Sequence, residues 1–117
     1  MGRFEEGPPI VSARCWALYD ADTCKIIDGK SQYNVREIAS LTKIMTFYTV
    51  LKLFERLGID MEKVTFRVTQ FSCSPSGTTA NLREGMWIKL IDLFYAMMLP
   101  SGNDASLVLA ENCGLIL

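Results

Sequence analysis

Hydrophobic residues occupy both faces of the first predicted strand. Over residues 12–19 apolar side chains stand at neighbouring positions instead of alternating strictly with polar ones, which is typical of a strand covered on both sides. The polar cluster at 20–23 predicts a turn, and a short return strand follows at 25–27 and ends at Asp28-Gly29. These segments predict a β-hairpin, which is not stable without further cover.

A helical period replaces the strand pattern over residues 40–57. Further apolar side chains at Phe47, Val50 and Leu53 fill the opposite side, so we expect a helix of about five turns that is buried nearly all round. Gly58 follows as a signal for the end of this helix. The residues that recur at helical spacing are Leu41, Ile44, Met45, Tyr48, Leu51 and Phe54.

The second half of the chain begins with one more strand pattern. Residues 64–69 alternate apolar and polar side chains and predict a short amphipathic strand. A loop rich in Ser, Gly, Pro and Thr occupies 72–81, and a turn at 83–86 leads into a helix predicted over 88–99. Pro100 should end that helix because it cannot continue the hydrogen-bond ladder.

A tight loop at residues 101–103 leads into the last helix. We expect Asn103 or Asp104 to cap this helix, which should run through Ala110 with Gly114 behind it.

Composition excludes several classes of function. The chain has 117 residues, of which 50% are hydrophobic, so it can bury a core as one domain. A formal net charge of −1 gives no basic excess for phosphate contacts, so we expect no nucleic-acid partner. The most apolar stretch, 90–99, is interrupted by Asp92 and is too short to cross a bilayer, so we expect no transmembrane segment.

The four cysteines are Cys15, Cys24, Cys73 and Cys113. Because the chain has no histidine, a zinc site would need all four thiols to converge, and small buried reduced thiols are the favoured interpretation. We therefore expect no metal and no cofactor. Cys15 and Cys24 could form a disulfide across the hairpin if the protein were exported.

The two ends of the chain differ in polarity. Residues 1–11 are interpreted as a polar leader and residues 12–117 as a partial domain. The leader has two acids and two prolines where a signal peptide needs an apolar run, which favours a cytoplasmic location. The apolar residues at 115–117 favour either truncation or an end that is buried against something else.

Ser40 and Lys43 are the first candidates for chemistry. A serine nucleophile needs a base within hydrogen-bond reach, and a chain without histidine cannot use a Ser–His–Asp triad. On a helix, the spacing of three residues places the serine and the lysine one turn apart on one face. The structural alternative is that Ser40 only caps the helix and that Lys43 points into solvent.

Ser101 and Asn103 are the second pair of candidates. A hydroxyl and an amide on a loop between two helices can relay a proton and orient a substrate amide. The structural alternative is that Ser, Gly and Asn stand here as ordinary turn residues.

The two motifs and their flanks together resemble one enzyme family. Residues 38–46 (IASLTKIMT) resemble the nucleophile motif of the serine D-alanyl-D-alanine carboxypeptidases, the low-molecular-weight penicillin-binding proteins. Residues 98–106 (MLPSGNDAS) look like the second motif of that family, 13–20 are similar to its first sheet strand, and 82–86 match the turn before its next helix. The resemblance extends over about residues 12–114.

The resemblance implies a role for each candidate. Ser40 would attack the carbonyl of a D-Ala-D-Ala peptide to form an acyl-enzyme, and Lys43 would take its proton as general base. Ser101 would pass the proton to the leaving D-alanine, and Asn103 would hold the substrate amide. The Ser40 backbone N–H would form half of the oxyanion hole, and a β-lactam would acylate the same serine and stall.

The sequence also departs from the family pattern. No Lys-Thr-Gly motif occurs anywhere in it, Ile38 stands where the family usually has proline, and Cys24 replaces the customary glycine of the hairpin. The implied fold is penicillin-binding protein or serine β-lactamase-like α+β, represented only by the N-terminal hairpin and the helical part, without the later sheet strands. The family would also be extracytoplasmic, whereas this chain shows no export signal.

Two functions follow from this pattern. The first is a serine-type D-Ala-D-Ala carboxypeptidase, or the N-terminal part of one, acting on D-Ala-D-Ala peptides or β-lactams. The alternative is a non-catalytic member of the fold that serves as a structural or interaction component; a β-lactamase is a weaker third interpretation. In either of the first two cases we expect a free monomer to be unstable, with a protein partner or the remaining domain covering the missing sheet.

Overall fold

A computed structural model describes residues 10–117, and the contacts within it divide the chain after Glu37 into two units. The predicted boundary between a leader (1–11) and a domain (12–117) stays a prediction, because residues 1–9 lie outside the described residues. All four candidate site residues belong to the second unit.

The first unit contains the predicted hairpin. Strand β1 spans Trp16–Asp20 and pairs antiparallel with β2, Lys25–Lys30, with an irregularity in register between Leu18 and Tyr19. The Asp20 carboxylate accepts hydrogen bonds from the N–H groups of Asp22 and Thr23 and thereby fixes the turn. The hydrogen bonds from Thr23 and Asp22 hold the pKa of Asp20 below its ordinary value.

The strand bounds differ from the predicted ones. β1 begins four residues later than expected, and β2 continues through Asp28-Gly29 to Lys30. A Cβ at Gly29 would lie 2.9 Å from the Trp16 carbonyl oxygen, so the missing side chain is what lets the two strands approach there. Glycine here allows close pairing and does not end the strand.

The hairpin does not bring Cys15 and Cys24 together, so the disulfide considered as a possibility for an exported protein is not formed. Trp16 pairs with Lys30, whereas Asp20 pairs with Lys25, so the two cysteines lie at opposite ends of the hairpin. Both are free thiols. Cys24 has a left-handed backbone, with φ 54°, which explains why glycine suits this position of the turn.

Helix α1 opens the second unit and spans Thr42–Leu57. It ends as predicted at Gly58, which has φ 66° and donates its N–H to the Glu55 carbonyl. The expectation that this helix is buried nearly all round is wrong: the side chain face that includes Met45 is largely exposed, and Met45 itself keeps 64% of its surface. Within the second unit, α1 packs against the two later helices, and its Phe54 also lies against Phe66 of the strand at Thr65–Arg67.

A second small sheet lies beside α1. Strand β3, Thr65–Arg67, pairs antiparallel with β4, Trp87–Lys89, which runs directly into α2, Leu90–Met98. The sequence pattern assigned part of β4 to the helix. Three residues are too few to display an alternating period, and β4 is stabilised by its pairing with β3, which lies twenty residues earlier in the chain.

Helix α3 spans Asn103–Gly114, so Gly114 is its last residue and does not lie behind it. The prediction that Asn103 or Asp104 caps this helix is wrong, since the cap position is Gly102 and no side chain caps it. Both side chains have other partners, described below. The core lies between α1, the β3–β4 sheet, α2 and α3, and its fully buried members are Phe54, Val68, Leu90, Leu93, Met97, Ala105, Val108 and Leu109.

Candidate active site

Lys43 lies at the centre of the candidate site. Its ammonium nitrogen Nζ donates to Ser40 Oγ at 3.1 Å, to Ser101 Oγ at 3.1 Å and to Asn103 Oδ1 at 2.8 Å. A lysine ammonium has three hydrogens, so all three find an acceptor. Only 9% of the residue surface is exposed, and the interpretation of Lys43 as a solvent-facing lysine therefore does not describe the structure.

The four residues singled out in the sequence come together in one place. Besides the contacts of Lys43, the Ser101 hydroxyl donates to Ser40 Oγ at 2.7 Å. Ser101 and Asn103 are separated from Lys43 by 58 and 60 positions, so these contacts depend on the packing of α1 against the start of α3.

Ser40 lies on a short 3₁₀ turn, Ala39–Leu41, that precedes α1. The first position of α1 is Thr42, and the cap position is Leu41 without a side-chain cap, so Ser40 is not the helix cap. Ala39 has φ 46°, a left-handed conformation that is costly for a residue with a Cβ. Ser40 is exposed and lines two cavities of the surface.

The loop between α2 and α3 brings the second motif to the site. Ser101 has φ 59°, which a serine rarely adopts. A Cβ at Gly102 would lie 2.6 Å from the Ala96 carbonyl oxygen and 2.7 Å from Asp104 Oδ1, so only glycine fits between these atoms. Asn103 Nδ2 donates to the Ser76 carbonyl at 2.8 Å, which orients the amide so that Oδ1 faces Lys43.

The loop before β4, which no sequence motif marked as functional, also contributes to the site. The Thr78 hydroxyl donates to the Ser101 carbonyl at 2.5 Å, and the Thr78 carbonyl accepts the Asn103 N–H at 2.8 Å. The Ser/Gly/Pro/Thr composition predicted a loop at 72–81 but contained no signal for its tertiary partners.

The carboxylate of Asp104 holds the same loop in place through hydrogen bonds. Its carboxylate is 2% exposed and accepts hydrogen bonds from four donors. Burial acts to raise the pKa of Asp104, but these hydrogen bonds outweigh it and hold the pKa below its ordinary value. The donors are the Thr79 hydroxyl at 2.6 Å and the N–H groups of Ala80, Leu82 and Ala105 at 2.9, 3.0 and 2.9 Å.

Two open cavities flank the lysine. One, of about 380 Å³, adjoins Ser40 and Ser101 and is otherwise lined mostly by apolar side chains: Ile38, Leu41, Ile44, Met97 and Met98. The other, of about 410 Å³, adjoins Asn103 and is lined by small and hydroxylated residues that include Thr46 and Ser106. A ligand could therefore approach the Ser40 hydroxyl with an apolar group on one side and a polar group on the other.

Within residues 10–117 no group of three or more Cys, Asp or Glu side chains converges to hold a metal ion. None of the helices in that part of the chain combines the length and the apolar character needed to cross a membrane. The chemistry available at the site is that of a hydroxyl beside an amine, with a second hydroxyl and an amide in contact with both.

Comparison with known proteins agrees with the motifs. A family profile described as D-alanyl-D-alanine carboxypeptidase matches residues 3–114, and the chain therefore belongs to this family. D-alanyl-D-alanine carboxypeptidase DacD of Salmonella typhimurium is 30% identical over 113 residues, which are 92% of this chain and 29% of the relative. DacF of Bacillus subtilis is 30% identical over 100 residues, 85% of this chain and 25% of the relative.

Solved structures of the family share the fold. The crystal structure of D-alanyl-D-alanine carboxypeptidase DacD from Francisella tularensis has a TM-score of 0.78 and 28% identity, covering 97% of this chain and 28% of that one. Penicillin binding protein 6B from Escherichia coli has a TM-score of 0.77 and 28% identity, covering 94% and 36%. These matches confirm the predicted family and fold class, an α+β part of a penicillin-binding protein-like domain. The chain spans less than a third of the length of these curated relatives.

Proposed function

We propose that this chain carries the acylating part of a serine-type D-Ala-D-Ala carboxypeptidase site, with Ser40 as nucleophile and Lys43 as general base. The observation that carries the proposal is the set of three contacts of Lys43 Nζ, at 3.1, 3.1 and 2.8 Å, with Ser40, Ser101 and Asn103. These distances lie within the reach that a base needs to take a proton from a nucleophile.

In the proposed reaction Lys43 acts as the neutral amine, and the Ser40 hydroxyl proton moves to its Nζ while Oγ bonds to the carbonyl carbon of the penultimate D-alanine. The bond between that carbon and the nitrogen of the terminal D-alanine then breaks. The proton passes from Lys43 through Ser101 Oγ, which is 2.7 Å from Ser40 Oγ, to the nitrogen of the leaving D-alanine. Water attacking the acyl-enzyme releases the shortened peptide and restores the serine.

Asn103 would hold both the base and the substrate. Its Oδ1 accepts one hydrogen bond from Lys43, and its Nδ2 gives one to Ser76. An amide oxygen has two lone pairs and an amide nitrogen has two hydrogens, so one acceptor and one donor position remain for the amide of a bound peptide.

A non-catalytic role is the second candidate, and the surface of α1 favours it. Ile44, Met45 and Tyr48 are each more than half exposed, although a helix face of this kind is usually covered. In that case a protein partner or the remainder of the domain would cover the apolar face.

Labelling with a fluorescent penicillin separates the two functions. The wild-type chain and two variants, Ser40→Ala and Ser12→Ala, are incubated with the probe, denatured and resolved by gel electrophoresis. Ser12 is an exposed serine of the first unit and serves as the matched control. An acylating site gives labelling of the wild type and of Ser12→Ala that Ser40→Ala loses; absence of labelling at high probe concentration favours the non-catalytic role.

A further inference from the structure

The loop at residues 76–82 makes three hydrogen bonds with Ser101 and Asn103 of the second motif. The Thr78 hydroxyl donates to the Ser101 carbonyl at 2.5 Å, and the Asn103 N–H donates to the Thr78 carbonyl at 2.8 Å. The third bond joins Asn103 Nδ2 to the Ser76 carbonyl at 2.8 Å. A single residue, Thr78, therefore contacts the backbone of both residues of the second motif whose side chains reach Lys43.

These contacts act on a strained piece of backbone. Ser101 has φ 59°, and a left-handed conformation in a residue other than glycine costs about 1–3 kcal/mol. Such a conformation persists only where the surroundings fix it. The Thr78 hydroxyl fixes the carbonyl of Ser101 itself, and the direction of the Ser101 side chain depends on the same backbone angles.

The loop that presents Thr78 is in turn held by a buried charge. Asp104 accepts the Thr79 hydroxyl and the N–H groups of Ala80 and Leu82, the residues that follow Thr78. Gly77 precedes it with φ 99°, and a Cβ there would lie 2.9 Å from Asn103 Nδ2. Thr78 thus lies between the residues that Asp104 binds and the motif that Thr78 itself contacts.

We propose that Thr78 is a positioning residue that sets the alignment of the Ser101 hydroxyl and the Asn103 amide on Lys43. This inference rests on the proposed function, because alignment matters for rate only if the site acylates. Thr78 acts through Ser101 and Asn103 and has no chemical step of its own. Displacing a catalytic group by about 1 Å can cost about 100-fold in rate, so loss of one alignment bond should be visible in the kinetics.

The test compares three variants of the full chain. Thr78→Val replaces the hydroxyl by a methyl group of nearly the same size, and Thr78→Ser restores the hydroxyl. Thr65→Val is the matched control, because it makes the same chemical change at an exposed residue of β3, away from the site. For each protein we measure the second-order rate constant of acylation by a fluorescent penicillin and the midpoint of thermal unfolding.

We expect Thr78→Val to acylate about 10- to 100-fold more slowly than Thr65→Val. Thr78→Ser should return the rate to within about threefold of the wild type, with similar unfolding midpoints for all the variants. A purely structural role predicts that rate and midpoint fall together. Equal rates for Thr78→Val and Thr65→Val, or a Thr78→Ser variant as slow as Thr78→Val, would overturn the inference.

A separate measurement distinguishes failure of this inference from failure of the proposed function. If the wild type is not acylated, the proposed function fails, and hydrogen exchange of the Asn103 amide then decides about Thr78. Exchange at least about tenfold faster in Thr78→Val than in Thr65→Val upholds the positioning role in a site without activity. Equal exchange rates overturn it.

Discussion

Replacing Asp104 by asparagine changes one atom and removes a buried charge that four donors surround. In the structure Oδ1 accepts from Ala80 and Ala105, and Oδ2 accepts from Thr79, Leu82 and also Ala80. An asparagine has one oxygen and one NH₂ group for these positions. At least one N–H therefore faces another donor and loses its acceptor, whichever way the amide turns.

The loss of stability expected for Asp104→Asn follows from these contacts. With the asparagine oxygen at the Oδ2 position, the Ala105 N–H is left unsatisfied, at a cost of about 1–3 kcal/mol. The remaining hydrogen bonds change from charge-assisted to neutral, which weakens each by about 1 kcal/mol. We expect Asp104→Asn to lower the free energy of unfolding by about 4–6 kcal/mol, a large fraction of the 5–15 kcal/mol typical of a domain.

The difference in the free energy of unfolding between the wild type and Asp104→Asn should depend on pH. The pKa of Asp104 is lower in the folded chain than in the unfolded chain, so its stabilising effect is complete above the unfolded pKa near 3.8. The effect is lost as the pH falls below 3.8 toward the lower folded pKa, because the carboxyl group then takes up a proton. Asparagine does not titrate, so the gap between the two proteins should narrow in this range.

Urea unfolding of both proteins at pH 7, 5 and 3 measures the gap. Asp92→Asn is the control, because Asp92 lies exposed in the first turn of α2 and its loss should cost less than about 1 kcal/mol. The reasoning is refuted if Asp104→Asn and Asp92→Asn unfold alike at pH 7. A gap that is as large at pH 3 as at pH 7 would contradict the role of the charge.

Two further substitutions test backbone constraints. Gly102→Ala should destabilise the chain in urea unfolding by about 2 kcal/mol or more, because its Cβ would lie 2.6 Å from the Ala96 carbonyl oxygen. Gly114→Ala, where a Cβ meets nothing within 4 Å, should not destabilise it, and equal losses would contradict the reason given. Cys24→Gly should stabilise the hairpin by about 1 kcal/mol, since residue 24 has φ 54°, and should slow hydrogen exchange of the hairpin amides; unchanged exchange would count against it.

Local features of the fold were predictable, and features that depend on distant residues were not. Gly58 ends α1 as expected because the helix stop needs only a residue that adopts positive φ. Strand β4 and the exposed side of α1 were missed, since a three-residue strand shows no period and periodicity does not say which face finds a partner. The capping role expected for Asp104 failed for a similar reason: a loop twenty-odd residues earlier supplies its donors.

The sequence alone determined the family and the chemical pair, a serine and a lysine one turn apart in a chain without histidine. Spacing within one turn is enough for that, because backbone geometry fixes which neighbours share a face. Only the tertiary structure decided that Lys43 is buried, that its other two hydrogens reach Ser101 and Asn103, and that Thr78 holds the backbone of both. These contacts join residues tens of positions apart, and they arise from the packing of α3 and the loop before β4, which no local pattern encodes.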